Sequence, residues 1–150
     1  MTRVPPPAYL AAGLLAQRLL VRDRDRPGPM RLAVGGLLAA GSAGLQASAM
    51  ATFRRHHTTV NPLSPEKAST VVEDGPFALT RNPMYVAMAA LLAAHAVVRG
   101  GLRPWLPVAG FVVLMDRTQI AAEERAMRTN FGPAYANYAA RVPRWLGPTH

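Results

Sequence analysis

Between Leu32 and Phe53 the chain runs for 22 residues without a charged side chain. At ~1.5 Å per residue, a helix of that length spans the ~30 Å hydrocarbon core of a bilayer. With 150 residues in all, the chain has material for one domain and one core. Three more apolar blocks turn the balance toward lipid. Ala8 to Val21 is interrupted only by Gln17 and Arg18, Pro83 to Val98 carries no charge, and Trp105 to Ala122 carries Asp116, Arg117 and Gln119. In lipid each backbone polar group must be satisfied within its own segment, which selects helices. The expected architecture is all-α, an integral membrane helical bundle of about four transmembrane helices in a single domain, 1–150. The spans are 8–21, 32–53, 83–98 and 104–122, with a cytoplasmic loop 54–82 and a cytoplasmic tail 123–150.

The charge pattern agrees. The net charge of +9 comes from sixteen arginines and one lysine against eight acids. These arginines flank apolar blocks, as in membrane proteins, rather than gathering on one face as in nucleic-acid binders, so no nucleic-acid partner is expected. Ala8 to Val21 has the length of a signal-peptide core, but its basic residues follow it and no small-x-small cleavage site does. It reads as a first transmembrane helix with Arg18 snorkelling to the interface. Arg3, Arg54, Arg55, Lys67, Arg81, Arg117, Arg125, Arg128, Arg141 and Arg144 fall on the side of the long loop and tail. Arg18, Arg22, Arg24, Arg26, Arg31, Arg99 and Arg103 fall on the other. The bias predicts a cytoplasmic loop and tail in a bacterial or archaeal-type inner (plasma) membrane. Gly36, Ala40, Gly44 and Ser48 recur every fourth residue, a small-residue ridge suited to close helix packing and to a homo-oligomer.

Cysteine is absent, which excludes disulfides and thiolate metal sites. His56 and His57 are adjacent and diverge, while His95 and His150 are distant in sequence, so no metal is expected. The connection 54–82 is far longer than an ordinary one, and such loops are usually functional. Gly75-Pro76 breaks the chain, Pro83 occupies a helix N1 position and Asn82 its N-cap. Arg81 and Asn82 then stand at the positive end of a helix dipole, a place for an anionic group. The turn Gly100-Gly101-Leu102-Arg103-Pro104 sends the chain back, so Arg81 and Tyr85 meet Glu123 and Glu124 at equal height. Asp116, Gln119 and Glu123 share a helix face, and a polar stripe in an apolar helix points to function. The same residues also fit a structural ion pair at the interface, and the pattern alone leaves both readings open. Arg55, His56, His57 and Asp116 are candidates for the substrate side, or, for the basic residues, an interfacial anchor. Asn130-Phe131-Gly132-Pro133 is expected to close the last helix, and the basic-aromatic end Arg141 to Leu146 to lie on the membrane.

Arg81-Asn82-Pro83-Met84-Tyr85 resembles the Arg-His/Asn-Pro-x-Tyr motif of the isoprenylcysteine carboxyl methyltransferase and phospholipid methyltransferase superfamily. Thr58 to Pro62 and Val71 to Phe77 precede it in the family order. Glu123-Glu124-Arg125, then Phe131 to Tyr135, Tyr138 and Arg141 to Leu146, follow. The family's glycine two positions beyond the tyrosine is Ala87 in this chain. The resemblance covers about residues 53–146 and implies S-adenosylmethionine-dependent methyl transfer to a lipophilic or membrane-embedded acceptor. It implies a cofactor site made of Arg81, Asn82, Pro83, Tyr85, Glu123, Glu124, Tyr135, Tyr138, Arg141 and Arg144, with no Rossmann fold; no Gly-x-Gly-x-x-Gly motif is present. Alternatives are a small four-helix membrane transporter, a membrane scaffold, or an enzyme like the sterol reductases that share the C-terminal pattern. A proton-coupled transporter wants its carboxylate near the bilayer centre, whereas Glu123-Glu124 come at a helix end.

Overall fold

The computed structural model describes residues 4–21, 26–56 and 70–148, and its regular structure over those residues is entirely helical. Helix α1 is Pro6–Leu20 and α2 is Pro29–Arg55. A 3₁₀ turn, Gly75–Ala78, precedes α3, Pro83–Arg99. Helix α4, Trp105–Leu114, passes through a π-helical segment, Met115–Ile120, into α5, Ala121–Arg141. Helices α1, α2 and α3 each begin with proline in the first turn, where the missing N–H has no intrahelical partner to lose. The observed α1 and α2 therefore start before the apolar blocks do.

Helix α3 is central and packs against α1, α2 and α4. Its longest contact is with α2, along Gly35, Ser42, Ala49 and Thr52. The approach is closest at Gly35, where a Cβ would come within 2.4 Å of Val98 Cγ2. The Ser42 hydroxyl donates to the Ala87 carbonyl at 2.7 Å. Ala87 is therefore buried at the α2 crossing, in contact with a helix rather than with the polar end of the fold. The ridge Gly36, Ala40, Gly44, Ser48 is not this seam. All four residues are exposed, and nothing lies within 4 Å of a Cβ at Gly36 or Gly44. The reason is geometric: a four-residue step advances ~40° around a helix, a seven-residue step drifts only ~20°, so the latter keeps to one neighbour.

Helix α1 is pinned to the bundle by one amide. Gln17, fully buried, donates from Nε2 to the carbonyls of Leu92 (2.9 Å) and Pro104 (2.8 Å). Those partners only accept, so Oε1 must face His95 Nδ1 at 2.9 Å, and that nitrogen carries the proton.

By length and composition, α2 is the one helix among the described residues long and apolar enough to cross a membrane; α3 is apolar but shorter. Only 17% of that stretch of α2 is buried, unlike the core helix of a soluble protein. Leu15, Leu19, Met30, Leu32, Leu37, Leu106 and Val113 also face outward, an apolar exterior suited to lipid. One expectation near the C-terminus is corrected. The last helix runs on past residue 122 through the charged residues, as expected, to Gly132. At Gly132 the chain kinks (φ 47°, ψ −119°) and then resumes as helix, so Pro133 opens a second arm instead of ending the first.

Candidate functional site

Three segments meet at the loop-and-tail end of the bundle: the start of α3, the α4–α5 rod and the tail after Arg141. Arg81 is half-buried and holds them together. Its Nη2 donates to Glu124 Oε1 at 2.7 Å, and its Nη1 to the carbonyls of Ala139 (2.7 Å) and Val142 (2.9 Å). Its backbone N–H donates to the Pro143 carbonyl at 2.9 Å. One donor, Nε, is buried with no hydrogen-bond partner.

Glu124 lies beneath two arginines, its side chain only 7% exposed. Arg144 donates to it through Nε (3.0 Å) and Nη2 (2.7 Å), a two-pronged contact that a guanidinium is shaped to make. Burial pushes the Glu124 carboxyl up, but the hydrogen bonds from Arg144 and Arg81 outweigh it and hold the group below the usual carboxylate range. Arg144 is correspondingly raised, first by its hydrogen bond to Glu124. The remaining arm of Arg144, Nη1, donates to Asp116 Oδ1 at 3.0 Å, and Trp145 Nε1 donates to the same oxygen at 3.0 Å.

Beside this charged knot is a second group. The Tyr85 hydroxyl donates to Glu123 Oε1 at 2.5 Å, and Gln119 Nε2 donates to the same oxygen at 2.9 Å. Gln119 comes from the π-helical segment, a local widening that often marks functional positions. The Tyr85 ring packs with Leu92, Phe111, Met115 and Ile120 in the bundle core. One side chain thus joins the apolar interior to the polar end.

Arg81, Tyr85, Glu123, Glu124 and Arg144 are therefore assembled in one place. Asn82 joins them differently from its expected part: it stands at the N-cap position but its side chain caps nothing. Instead its Nδ2 donates to the Arg144 carbonyl at 2.9 Å, alongside the Thr80 hydroxyl at 3.0 Å. Pro83 is buried as the first helical residue. Tyr135 and Tyr138 are buried with Val142 against Val71 and Met127. Burial pushes the Tyr135 hydroxyl up to about 12 and raises that of Tyr138, which donates to the Phe77 carbonyl at 2.7 Å. Arg141 stays apart, paired at the surface with Glu73 at 2.6 Å.

Of the substrate-side candidates, Asp116 sits beneath Arg144 and Trp145. His56 Nε2 pairs with Asp74 Oδ1 at 2.7 Å, and Arg55 donates to the Thr52 hydroxyl at 3.0 Å. His57 lies outside the described residues. The tail's Arg144 and Trp145 do not lie outward toward a membrane; they fold back onto Asp116 and Glu124. Sequence reasoning missed Thr80 and Trp145. Trp145 was visible only as the aromatic of a basic end, and Thr80 gives no pattern at all. Among the described residues no cluster of His, Cys, Asp and Glu is arranged to hold a metal.

A family model described as phospholipid methyltransferase matches residues 30–134, which run from the first turn of α2 to just past the Gly132 kink. An uncharacterized protein of Haemophilus influenzae is 35% identical over 63 residues, 42% of this chain and the whole of that relative. No solved structure matches. With the motif at Arg81–Tyr85, the paired glutamates it faces and a family match over more than half its length, this chain belongs to the phospholipid methyltransferase family.

Proposed function

We propose that the chain is an S-adenosylmethionine-dependent methyltransferase whose acceptor is lipophilic or embedded in the membrane. The observation that carries this reading is the junction at Tyr85, where a polar group of Glu123 and Gln119 meets the apolar core beside the Arg81 knot. The donor set suits a zwitterionic amino-acid end. Arg81 retains a buried Nε donor with no partner, fit for a carboxylate. Glu123, half-buried, offers a carboxylate for an ammonium or for ribose hydroxyls. Glu124 is better read as the strut that fixes Arg81 and Arg144, because both its oxygens already accept from guanidinium groups.

When bound, S-adenosylmethionine supplies an electrophilic methyl group on a sulfonium. The chain's own task is then positioning and exclusion of water. Tyr85 holds Glu123 in place and presents its ring to the acceptor's side. Phe111, Met115 and Ile120 keep that side dry. The tail from Val142 to Trp145, fastened by Arg81, Thr80 and Asn82, covers the polar side. About four helices cross an inner (plasma) membrane in this reading, with the loop and tail in the cytoplasm where the cofactor is made. The exposed ridge Gly36, Ala40, Gly44, Ser48 faces lipid or a second copy.

The test is titration calorimetry of detergent-solubilised protein with S-adenosylhomocysteine, followed by transfer of labelled methyl from S-adenosylmethionine into membrane lipid extracts. Binding together with label in the organic phase supports the proposal. Absence of binding by folded, monodisperse protein overturns it.

A further inference from the structure

The two ends of the bundle treat their arginines differently. At the loop-and-tail end, five of the eight described arginines, Arg81, Arg117, Arg128, Arg141 and Arg144, lie within 4.0 Å of a carboxylate from Glu73, Asp116 or Glu124. At the opposite end, Arg18, Arg26, Arg31, Arg99 and Arg103 have no such partner among the described residues, which include no acid there. Between α1 and α2 the sequence also holds Arg22, Asp23, Arg24 and Asp25, two charges of each sign.

These arginines also converge. Arg99, the last residue of α3, donates from Nη2 to the Val21 carbonyl at the end of α1, while its Nε is buried with no partner. The Arg31 guanidinium lies over Gly100, so close that a Cβ there would approach Nη1 within 2.4 Å. Arg18 and Arg99 are both within electrostatic reach of His95. Arg26 and Arg31 line one open concavity of about 560 Å³ with Gly28, Pro29 and Met30. Guanidinium groups from α2 and α3 thus come together with no carboxylate partner among the described residues, at an electrostatic cost that a bound anion would offset. A buried donor without a partner is likewise what an anion would satisfy.

We propose that this collar binds the phosphate of an anionic membrane phospholipid, retained for its charge and not as the methyl acceptor. The apolar surroundings choose the lipid over free phosphate: Leu19, Leu20, Met30, Leu32 and Leu102 are exposed around the arginines, where acyl chains would lie. The length of α3 separates the collar from Tyr85 and Glu123 by roughly 20 Å at ~1.5 Å per residue, too far for a headgroup held there to react.

The test compares the full chain in nanodiscs of phosphatidylglycerol with the same discs of phosphatidylcholine, reading thermal unfolding and, by native mass spectrometry, retained lipid. Phosphatidylglycerol is expected to stabilise the protein and to stay bound, with retention falling as ionic strength rises. Arg31→Gln and Arg99→Gln should each reduce retention roughly fivefold, while Arg125→Gln at the other end should not. Because Arg99 also ties α3 to α1, the exposed Arg31 gives a reading independent of any folding defect. Equal retention of the two lipids, or of phosphatidylglycerol by wild type and Arg31→Gln, overturns the proposal. So does equal stabilisation by inorganic phosphate in detergent, which would place a soluble anion at the collar. Unchanged S-adenosylhomocysteine binding in the arginine variants keeps the outcome separate from the methyltransferase reading.

Discussion

Glu124 lies under two guanidinium groups, while its neighbour Glu123 accepts from a phenol and an amide. The two carboxylates therefore answer differently to the same substitution. Glu124→Gln leaves Arg81 without a counter-charge and Arg144 with Asp116 alone, and should cost on the order of 2–3 kcal/mol of stability, Arg144 being partly exposed. Glu123→Gln should leave thermal unfolding nearly unchanged yet weaken S-adenosylhomocysteine binding about tenfold or more, the size of a lost charged hydrogen bond. Calorimetry and unfolding on both variants read the two effects separately, and a stable, tight-binding Glu124→Gln would remove the strut. Arg81→Lys should resemble Glu124→Gln, since an ammonium cannot reach two carbonyls and a carboxylate from one plane.

The pH profile follows from the same groups. With its folded pKa depressed, Glu124 contributes stability that is present above the ordinary carboxylate value of 4.5 and lost as pH falls through the lower folded value. Tyr135 acts at the other edge. Its folded pKa is raised from 10.0 to about 12, so its contribution is complete below pH 10 and lost as pH rises toward 12. Tyr135→Phe should soften the alkaline fall in unfolding temperature while leaving the acid one. An unchanged alkaline limb would mean that Tyr138 or another group governs it.

At the scale of the element, the sequence was legible where a signal repeats or stops abruptly. The charge-free block gave α2, Pro83 gave the start of α3, and the glycines at 100 and 101 gave the turn that brings Arg81 opposite the glutamates. The π-helical segment was not legible, because Met115 to Ile120 read as ordinary helix. The small-residue ridge is not the α2–α3 seam: four-residue spacing is conspicuous in an Ala/Gly-rich helix, whereas that seam repeats at seven. Gly44→Leu, with nothing within 4 Å of its Cβ, should therefore leave the fold of one chain intact, and any loss should appear only in cross-linking of copies. Gly132 is more demanding. Its backbone angles lie in a region essentially reserved for glycine, and the kink turns the arm bearing Tyr135 and Tyr138 back toward Phe77. Gly132→Ala should cost about 1–3 kcal/mol and reduce cofactor affinity through misplacement of Arg144. Full affinity in that variant would show that the tail finds Glu124 without the kink.

For the whole molecule, the least legible feature was the closing of the tail. Arg144 reaches Glu124 and Asp116 by side-chain bonds, and its carbonyl is held by Thr80 and Asn82 more than sixty residues earlier. Bonds of that kind leave no period in a sequence. They do carry a consequence for the proposed topology: residues 70–82, the start of α3, α5 and the tail after Arg141 are tied together and, in a membrane, would share one side. With the positive-inside bias, that side is expected to be the cytoplasm. Reporter fusions after Arg55 and at His150 should both read cytoplasmic, and fusions at Gly28 and Gly100 should read the opposite side. The short helices make this a demanding test, since among the described residues only α2 is long and apolar enough to cross without help. Helix α3 has 17 residues, ~25 Å at 1.5 Å each, and in the proposed topology would cross by local bilayer thinning or with its interfacial ends included. If instead Gly28 alone reads external and Gly100 reads cytoplasmic, α3 and α4 form a hairpin that dips into one leaflet. The collar's Arg99 would then face the same compartment as Arg81, and the two ends of the bundle would no longer see different lipid surfaces.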